Sequence, residues 1–167
     1  MKTTLAEAAA KTVELLKEKR LKLAAAESCT GGMLAQYITS VAGASEVFDC
    51  GVVAYANHIK EKLLDVKKET LESFGAVSAG TAAEMAEGVR LLANAGLGIA
   101  VSGIAGPDPD GTSKPVGLIY IALADKSGAS VLELKNSFKD DIRRQNRESA
   151  VSAAFEMIIS YLKGMER

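Results

Sequence analysis

Residues 21–38 read Leu21-Lys22-Leu23-Ala24-Ala25-Ala26-Glu27-Ser28-Cys29-Thr30-Gly31-Gly32-Met33-Leu34-Ala35-Gln36-Tyr37-Ile38. The run from Leu21 to Ala26 is apolar but for one lysine and suits a short strand. It stops at small polar residues and two glycines, and a helical spacing of Met33, Leu34, Tyr37 and Ile38 starts at once. Strand, tight turn and helix in this order open a β-α-β unit. Such a turn holds a hydroxyl at a strand tip, beside backbone N–H groups that lead into a helix. Ser28 and Thr30 are the candidate hydroxyls, and Thr30, nearer the glycines, is expected to cap the helix.

Outward from this turn, the rest of the chain falls into alternating elements. Upstream, Leu5, Ala9, Val13 and Leu16 lie at helical spacing behind a cap at Thr3 or Thr4. Downstream, Phe48 to Tyr55 reads as a second strand. Asn57 is expected to cap a helix through Lys60 and Leu64, and a short helix over 67–74 ends at Gly75. Ser78 caps a longer helix with the stripe Ala82, Met85, Ala86, Val89 and Leu92. Leu97 to Ser102 is a short buried strand, and Val116 to Ala124 and Ser130 to Phe138 form a β-hairpin about Asp125-Lys126-Ser127-Gly128. A last helix runs from about Asp140 to Leu162 with the stripe Val151, Phe155, Ile158 and Leu162. All three prolines lie in the Gly103–Pro115 segment, a long irregular loop of the kind that is either functional or disordered. The order predicts a single domain over 1–167, an α/β fold. It is a three-layer α/β/α sandwich with a mixed, mainly parallel five-stranded sheet.

Bulk properties narrow the function. The 167 residues are 48% hydrophobic and 25% charged, enough for an ordinary core. A net charge of −1 offers no bulk attraction to nucleic acid or a membrane surface. Two cysteines, Cys29 and Cys50, are too few for a disulfide framework, and a reduced cytoplasmic setting is expected. The start Met1-Lys2-Thr3-Thr4 leads into an amphipathic pattern rather than an apolar leader. One histidine, His58, leaves a His-rich metal site without ligands, and no Cys, His or acidic spacing matches a zinc pattern. No metal or cofactor is expected. P-loop, dinucleotide-binding, Gly-x-Ser-x-Gly and Ser-x-x-Lys motifs are absent.

In an open α/β sheet ligands collect at the carboxyl ends of the strands. Three segments meet there: the serine turn, Tyr55-Ala56-Asn57-His58-Ile59-Lys60, and Ser102-Gly103-Ile104-Ala105-Gly106-Pro107. Ser28 as nucleophile needs a base; taken as a lone serine at a turn it reads first as a cap. Lys60 lies about one helical turn beyond Tyr55, so both can reach the serine turn, but a lysine is a base only if burial or nearby positive charge lowers its pKa. Taken alone, Lys60 and His58 are surface residues, Tyr55 a packed strand-end aromatic and Cys29 a small buried apolar residue. Arg143, Arg144 and Arg147 open the last helix against its dipole, which an anion or Asp140 and Asp141 would relieve. On a wheel Arg144 follows the Val151/Phe155 stripe, and Arg143 and Arg147 flank it.

These residues resemble a family. Ala26-Glu27-Ser28-Cys29-Thr30-Gly31-Gly32 is similar to the signature of the CinA C-terminal domain, the nicotinamide-nucleotide amidase family. The likeness continues through Gly51–Lys60, Gly75-Ala76-Val77-Ser78, Ser102–Pro107 and Lys114-Pro115-Val116-Gly117, in family order over nearly the whole chain. It implies the same three-layer fold. It also implies hydrolysis of the carboxamide of nicotinamide mononucleotide to nicotinate mononucleotide and ammonia, by a serine–lysine mechanism without metal. By position the family's nucleophile falls on Ser28, its tyrosine on Tyr55, its lysine on Lys60 and its substrate-binding arginine on Arg143, with Arg144 the alternative. Thr30, Gly31, Gly32, Asn57, Ser102, Gly103, Ala105 and Gly106 line the implied substrate site.

Three departures stand out. Ala56 replaces a serine common after the motif tyrosine. The Gly-Asp-Arg often found ahead of the last helix is replaced by Phe138-Lys139-Asp140-Asp141. The larger N-terminal domain of many relatives is expected to be absent, which describes a stand-alone form. The expected partner is a small-molecule nucleotide, with no nucleic acid and no membrane, and a homo-oligomer, a dimer first, is allowed. Competing functions are an amidohydrolase on another nucleotide-like amide, and a nucleotide sensor or partner-binding domain without turnover.

Overall fold

The computed structural model describes residues 3–165. Helix α1 (Leu5–Lys19) starts at a capping box. Thr4 Oγ1 accepts the Glu7 N–H at 3.2 Å, and the Glu7 carboxylate accepts the Thr4 N–H at 2.7 Å. The chain continues through β1 (Leu23–Glu27), α2 (Met33–Thr39), a 3₁₀ turn (Ala44–Glu46), β2 (Phe48–Val53) and α3 (Asn57–Leu64). Then come α4 (Lys68–Phe74), α5 (Ala79–Leu92), β3 (Leu97–Gly103), β4 (Leu118–Asp125), β5 (Gly128–Lys135) and α6 (Ile142–Gly164). This is the expected order of elements. Strand ends differ from expectation by at most three residues; β4 starts late, for example, because Gly117 N–H bonds back to the Ile104 carbonyl before it begins.

The sheet runs β2-β1-β3-β4-β5. Strand β1 pairs in parallel with β2 on one side and β3 on the other, and β3, β4 and β5 follow antiparallel to one another. Four of the five strands therefore point the same way, and the fold is the mixed α/β/α sandwich read from the sequence. Strand β1 is buried throughout, because it is central and covered on both faces. Its side chains alternate between two cores. Leu23 and Ala25 join Leu16, Leu34, Ile38, Ile99, Val101, Ile121, Phe155 and Ile158 under α1, α2 and α6. Ala24 and Ala26 join Met85, Ala86, Val89, Ala100 and Ala122 under α5. The second core is made of small residues because α5 lies close to the sheet: a Cβ on Gly98 would stand 2.1 Å from the Ala86 carbonyl oxygen.

This topology positions the site. The chain leaves β1 through α2 to reach β2 on one side, then crosses through α3, α4 and α5 to reach β3 on the other. The strand order thus reverses at the carboxyl end of β1, where such sheets open a crevice. Ser28 is the first residue past that end.

Candidate active site

At the mouth of the crevice the first residues past β1 are held on both sides. The Ser28 N–H donates to the Val101 carbonyl of β3 at 2.9 Å, and the Glu27 carbonyl accepts from Ala54, just past β2, at 2.9 Å. Beyond Ser28 the backbone needs two left-handed residues, Gly31 (φ 59°) and Gly32 (φ 94°), to turn into α2, a conformation that glycine adopts without steric cost. Thr30 does not cap this helix. Gly32 is the N-cap and makes no side-chain cap; the Thr30 hydroxyl is buried and unpartnered. The cap comes from Glu27, whose carboxylate accepts the N–H groups of Gly32 (3.1 Å), Leu34 (3.1 Å) and Ala35 (2.8 Å). At 1% exposure it is a buried carboxylate satisfied by backbone amides.

Lys60 reaches the serine from the other side. It lies on the first turn of α3, and its ammonium-bearing arm doubles back over the end of β2. Nζ contacts the Ala54 carbonyl at 2.8 Å, the Tyr55 carbonyl at 3.1 Å and Ser28 Oγ at 3.2 Å. The side chain is fully buried. All three partners are neutral, so no hydrogen-bonded anion offsets the loss of water around the charged form. Burial lowers its pKa to about 8. A neutral amine has two N–H groups and one lone pair. With the carbonyls taking the two N–H groups, the lone pair is left for the Ser28 hydroxyl proton. The surface reading of Lys60, taken in isolation, fails for this reason.

The remaining expected residues divide. Tyr55 is 60% exposed, and the hydrogen bond of its hydroxyl is with Arg143 Nη2 at 3.1 Å. Arg143 Nη1 donates to the Gly106 carbonyl at 2.8 Å, so the guanidinium is held between the β2–α3 link and the Gly103–Pro107 segment. Arg144 points away, with a side chain 68% exposed and paired with Glu148 at 2.8 Å. The wheel misplaced it because only large apolar residues defined the stripe. Asn146, Ala150 and Ala154 are buried too, and they centre the sheet-facing side nearer Arg143 and Arg147. Arg147 accordingly turns inward and donates to the Thr30 carbonyl at 2.8 Å.

Ser102 is not turned into the crevice: its hydroxyl donates to the Ala76 carbonyl at 2.7 Å and ties β3 to the start of α5. Gly103 packs against β4, where a Cβ would stand 2.9 Å from the Leu118 carbonyl oxygen. Ala105 and Gly106 present their carbonyls to Asn146 (3.0 Å) and Arg143. Asn57 does not cap α3; Ala56 is the N-cap and Asn57 is exposed on the first turn. Cys29 is buried, and burial pushes its thiol up to about 12, which rules out a resting thiolate at neutral pH. His58 is an exposed residue of α3. Among the described residues no group of three or more His, Cys, Asp or Glu side chains gathers to hold a metal ion, and no helix is long and apolar enough to cross a membrane.

Sequence reasoning missed the role of Glu27 and the contact that Arg147 makes. The signal for Glu27 was a carboxylate ending an otherwise apolar central strand just before a glycine turn. Arg147 was placed with Arg143 on the flank of the stripe, without its bond to the Thr30 carbonyl.

The geometry can be set beside known proteins. The profile of the CinA C-terminal domain matches residues 5–162. A CinA-like protein of Geobacter sulfurreducens is 55% identical over 117 residues, covering 70% of this chain and 28% of that protein. A relative from Caldanaerobacter subterraneus subsp. tengcongensis is 48% identical over 154 residues, 92% of this chain. The chain spans 37% of that relative's length. Among solved structures, the competence/damage inducible protein CihA of Agrobacterium tumefaciens superposes with a TM-score of 0.88 at 38% identity, covering 98% of this chain and 99% of that one. The competence damage-inducible protein A of Klebsiella pneumoniae superposes with a TM-score of 0.91 at 30% identity, over 96% and 98% of the two chains.

Proposed function

This chain belongs to the CinA C-terminal domain family, and we propose that it hydrolyses the carboxamide of nicotinamide mononucleotide, with Ser28 as nucleophile and Lys60 as base. The observation that carries the reading is the fully buried Lys60 amine, 3.2 Å from Ser28 Oγ and without an anionic partner in its hydrogen bonds. A structural lysine would be paired; a lysine lowered towards neutrality beside a hydroxyl suits general-base work.

The reaction follows from these groups. Ser28 Oγ attacks the amide carbon as its proton passes to Lys60 Nζ. The carbonyl oxygen becomes an oxyanion and is stabilised by backbone N–H groups of the serine turn. The Lys60 ammonium returns the proton to the amide nitrogen, the C–N bond breaks, and ammonia leaves an ester on Ser28. Lys60, neutral again, takes a proton from water as that water attacks the ester and returns it to Ser28 Oγ as the ester C–O bond breaks; the acid departs and ionises to the carboxylate in solvent. The substrate phosphate is held by Arg143, already fixed by Gly106 and Tyr55, as a charge-assisted hydrogen bond requires. Tyr55 serves as the far side of this clamp rather than as a proton relay, since its hydroxyl is bound to the guanidinium.

The test is ammonia release from nicotinamide mononucleotide by the purified protein, with Ser28→Ala and Lys60→Ala beside it. Turnover that both substitutions abolish is expected. Binding without turnover would favour a nucleotide sensor, and turnover surviving Ser28→Ala would overturn the nucleophile.

A further inference from the structure

The amides of the serine turn can be followed one by one. Ser28 N–H is taken by Val101, Gly31 N–H by the Ser28 carbonyl at 3.1 Å, and Met33 N–H by the Thr30 carbonyl at 3.1 Å. Gly32, Leu34 and Ala35 are taken by Glu27. Two amides remain. Among the described residues neither the Thr30 N–H nor the Cys29 N–H donates a hydrogen bond to another residue. Because Glu27 fills the start of α2, that helix end offers no place for a substrate anion.

We propose that Glu27 is a positioning residue for the nucleophile turn, and that it leaves the Cys29 and Thr30 amides as the oxyanion-binding pair. The inference rests on the serine–lysine reading above. Glu27 is the last residue of the central strand, paired on both sides with Val53 and Val101. Its carboxylate reaches over the turn to the first amides of α2. The turn is thereby clamped at both ends, with Ser28 between a fixed strand and a fixed helix. Cys29 follows the nucleophile directly, so its N–H is carried close to any oxygen on a carbon bonded to Ser28 Oγ, the arrangement found at other nucleophile turns. Arg147 donates to the Thr30 carbonyl at 2.8 Å, which fixes the peptide that follows the Thr30 N–H.

A fluorophosphonate probe tests this without depending on the natural substrate. Ser28 Oγ attacks phosphorus, the serine proton passes to Lys60, the P–F bond breaks and fluoride leaves. The phosphoryl oxygen of the adduct then stands where the oxyanion would. In amide-proton NMR of the labelled wild type, the Cys29 and Thr30 amides are expected to move furthest downfield, with Gly32, Leu34 and Ala35 little changed. Largest shifts at Ala105 and Gly106, or at Gly32, Leu34 and Ala35, would overturn the assignment. Glu27→Gln places an amide donor against backbone donors; it is expected to slow labelling, and any turnover, about 100-fold, with KM changed less than about threefold and Glu27→Asp intermediate. A Glu27→Gln protein that is labelled at the wild-type rate would overturn the positioning role. The wild-type adduct spectrum decides the oxyanion pair whatever the stability of the variants. Adduct shifts at Cys29 and Thr30 without ammonia release would sink the assigned substrate alone, whereas failure of Ser28 to label would overturn both.

Discussion

The two ends of the sheet treat charge differently. At the amino end of β1 and β3, where β4 turns into β5, Asp125 accepts from the Ser127 hydroxyl and N–H (2.6 and 2.7 Å) and from the Tyr161 hydroxyl (2.6 Å). Those hydrogen bonds, first that of the Ser127 side chain, lower its pKa to about 2, and the partner Tyr161 is raised to about 12. Every group there stabilises the form it already holds at neutral pH, so the cluster is chemically silent. At the carboxyl end, Lys60 is buried among neutral acceptors and titrates near 8, and neither Arg143 nor Arg147 appears in an ion pair with a carboxylate among the described residues. The proposed chemistry sits at the end where the buried Lys60 amine has no anion among its hydrogen-bond partners.

Breaking the reactive end gives the largest effect. Ser28→Ala and Lys60→Ala should each lower kcat on nicotinamide mononucleotide by about 10⁴ or more, measured as ammonia release. An undiminished rate in either would erase the contrast. Arg143→Ala should raise KM by about 10- to 100-fold, the loss of a charge-assisted bond, whereas Arg144→Ala, outside the crevice, should leave KM unchanged; equal effects would return the assignment to the wheel's alternative.

Stability sharpens the comparison further. Lys60 is depressed in the folded state from 10.5 to about 8. Between those values the unfolded chain binds more protons, so stability rises with pH across that window. Below about 8 both states are protonated and the full cost of the buried charge is present, on the order of 3 kcal/mol. Lys60→Met should therefore gain stability relative to wild type below pH 8 and lose that advantage by pH 10.5, as read by urea unfolding. Asp125 behaves oppositely. Its folded pKa lies below the ordinary 3.8, so its contribution is present above about 3.8 and is lost as pH falls through 2. Asp125→Asn should cost about 1–2 kcal/mol at pH 7 after allowance for its partial exposure, with activity unchanged. A loss of activity there would show that the silent end is not silent.

The sheet and helices were legible because period-2 and period-3.6 patterns with clear stops dominate the chain. The capping serine at Ser78 and the threonine at Thr4 were legible for the same local reason. Long-range polar partners were not. Thr30 read as a cap because capping is judged from nearby residues, yet a carboxylate five residues before Gly32 took the helix amides instead. Ser102 looked like a site residue by position, but which side of β3 it faces depends on register, and that side holds the Ala76 carbonyl. Lys60 read alone as surface charge, since its depressed pKa comes from burial that only the folded chain provides.

The most direct measurement is the titration of Lys60 itself, followed by NMR of its ε-carbon in the wild-type protein. A midpoint near 8, shifting when Ser28 is replaced by alanine, is the predicted result. A midpoint at the ordinary lysine value of about 10.4 would contradict the account, because Lys60 would then be charged throughout the neutral range and unable to accept the serine proton.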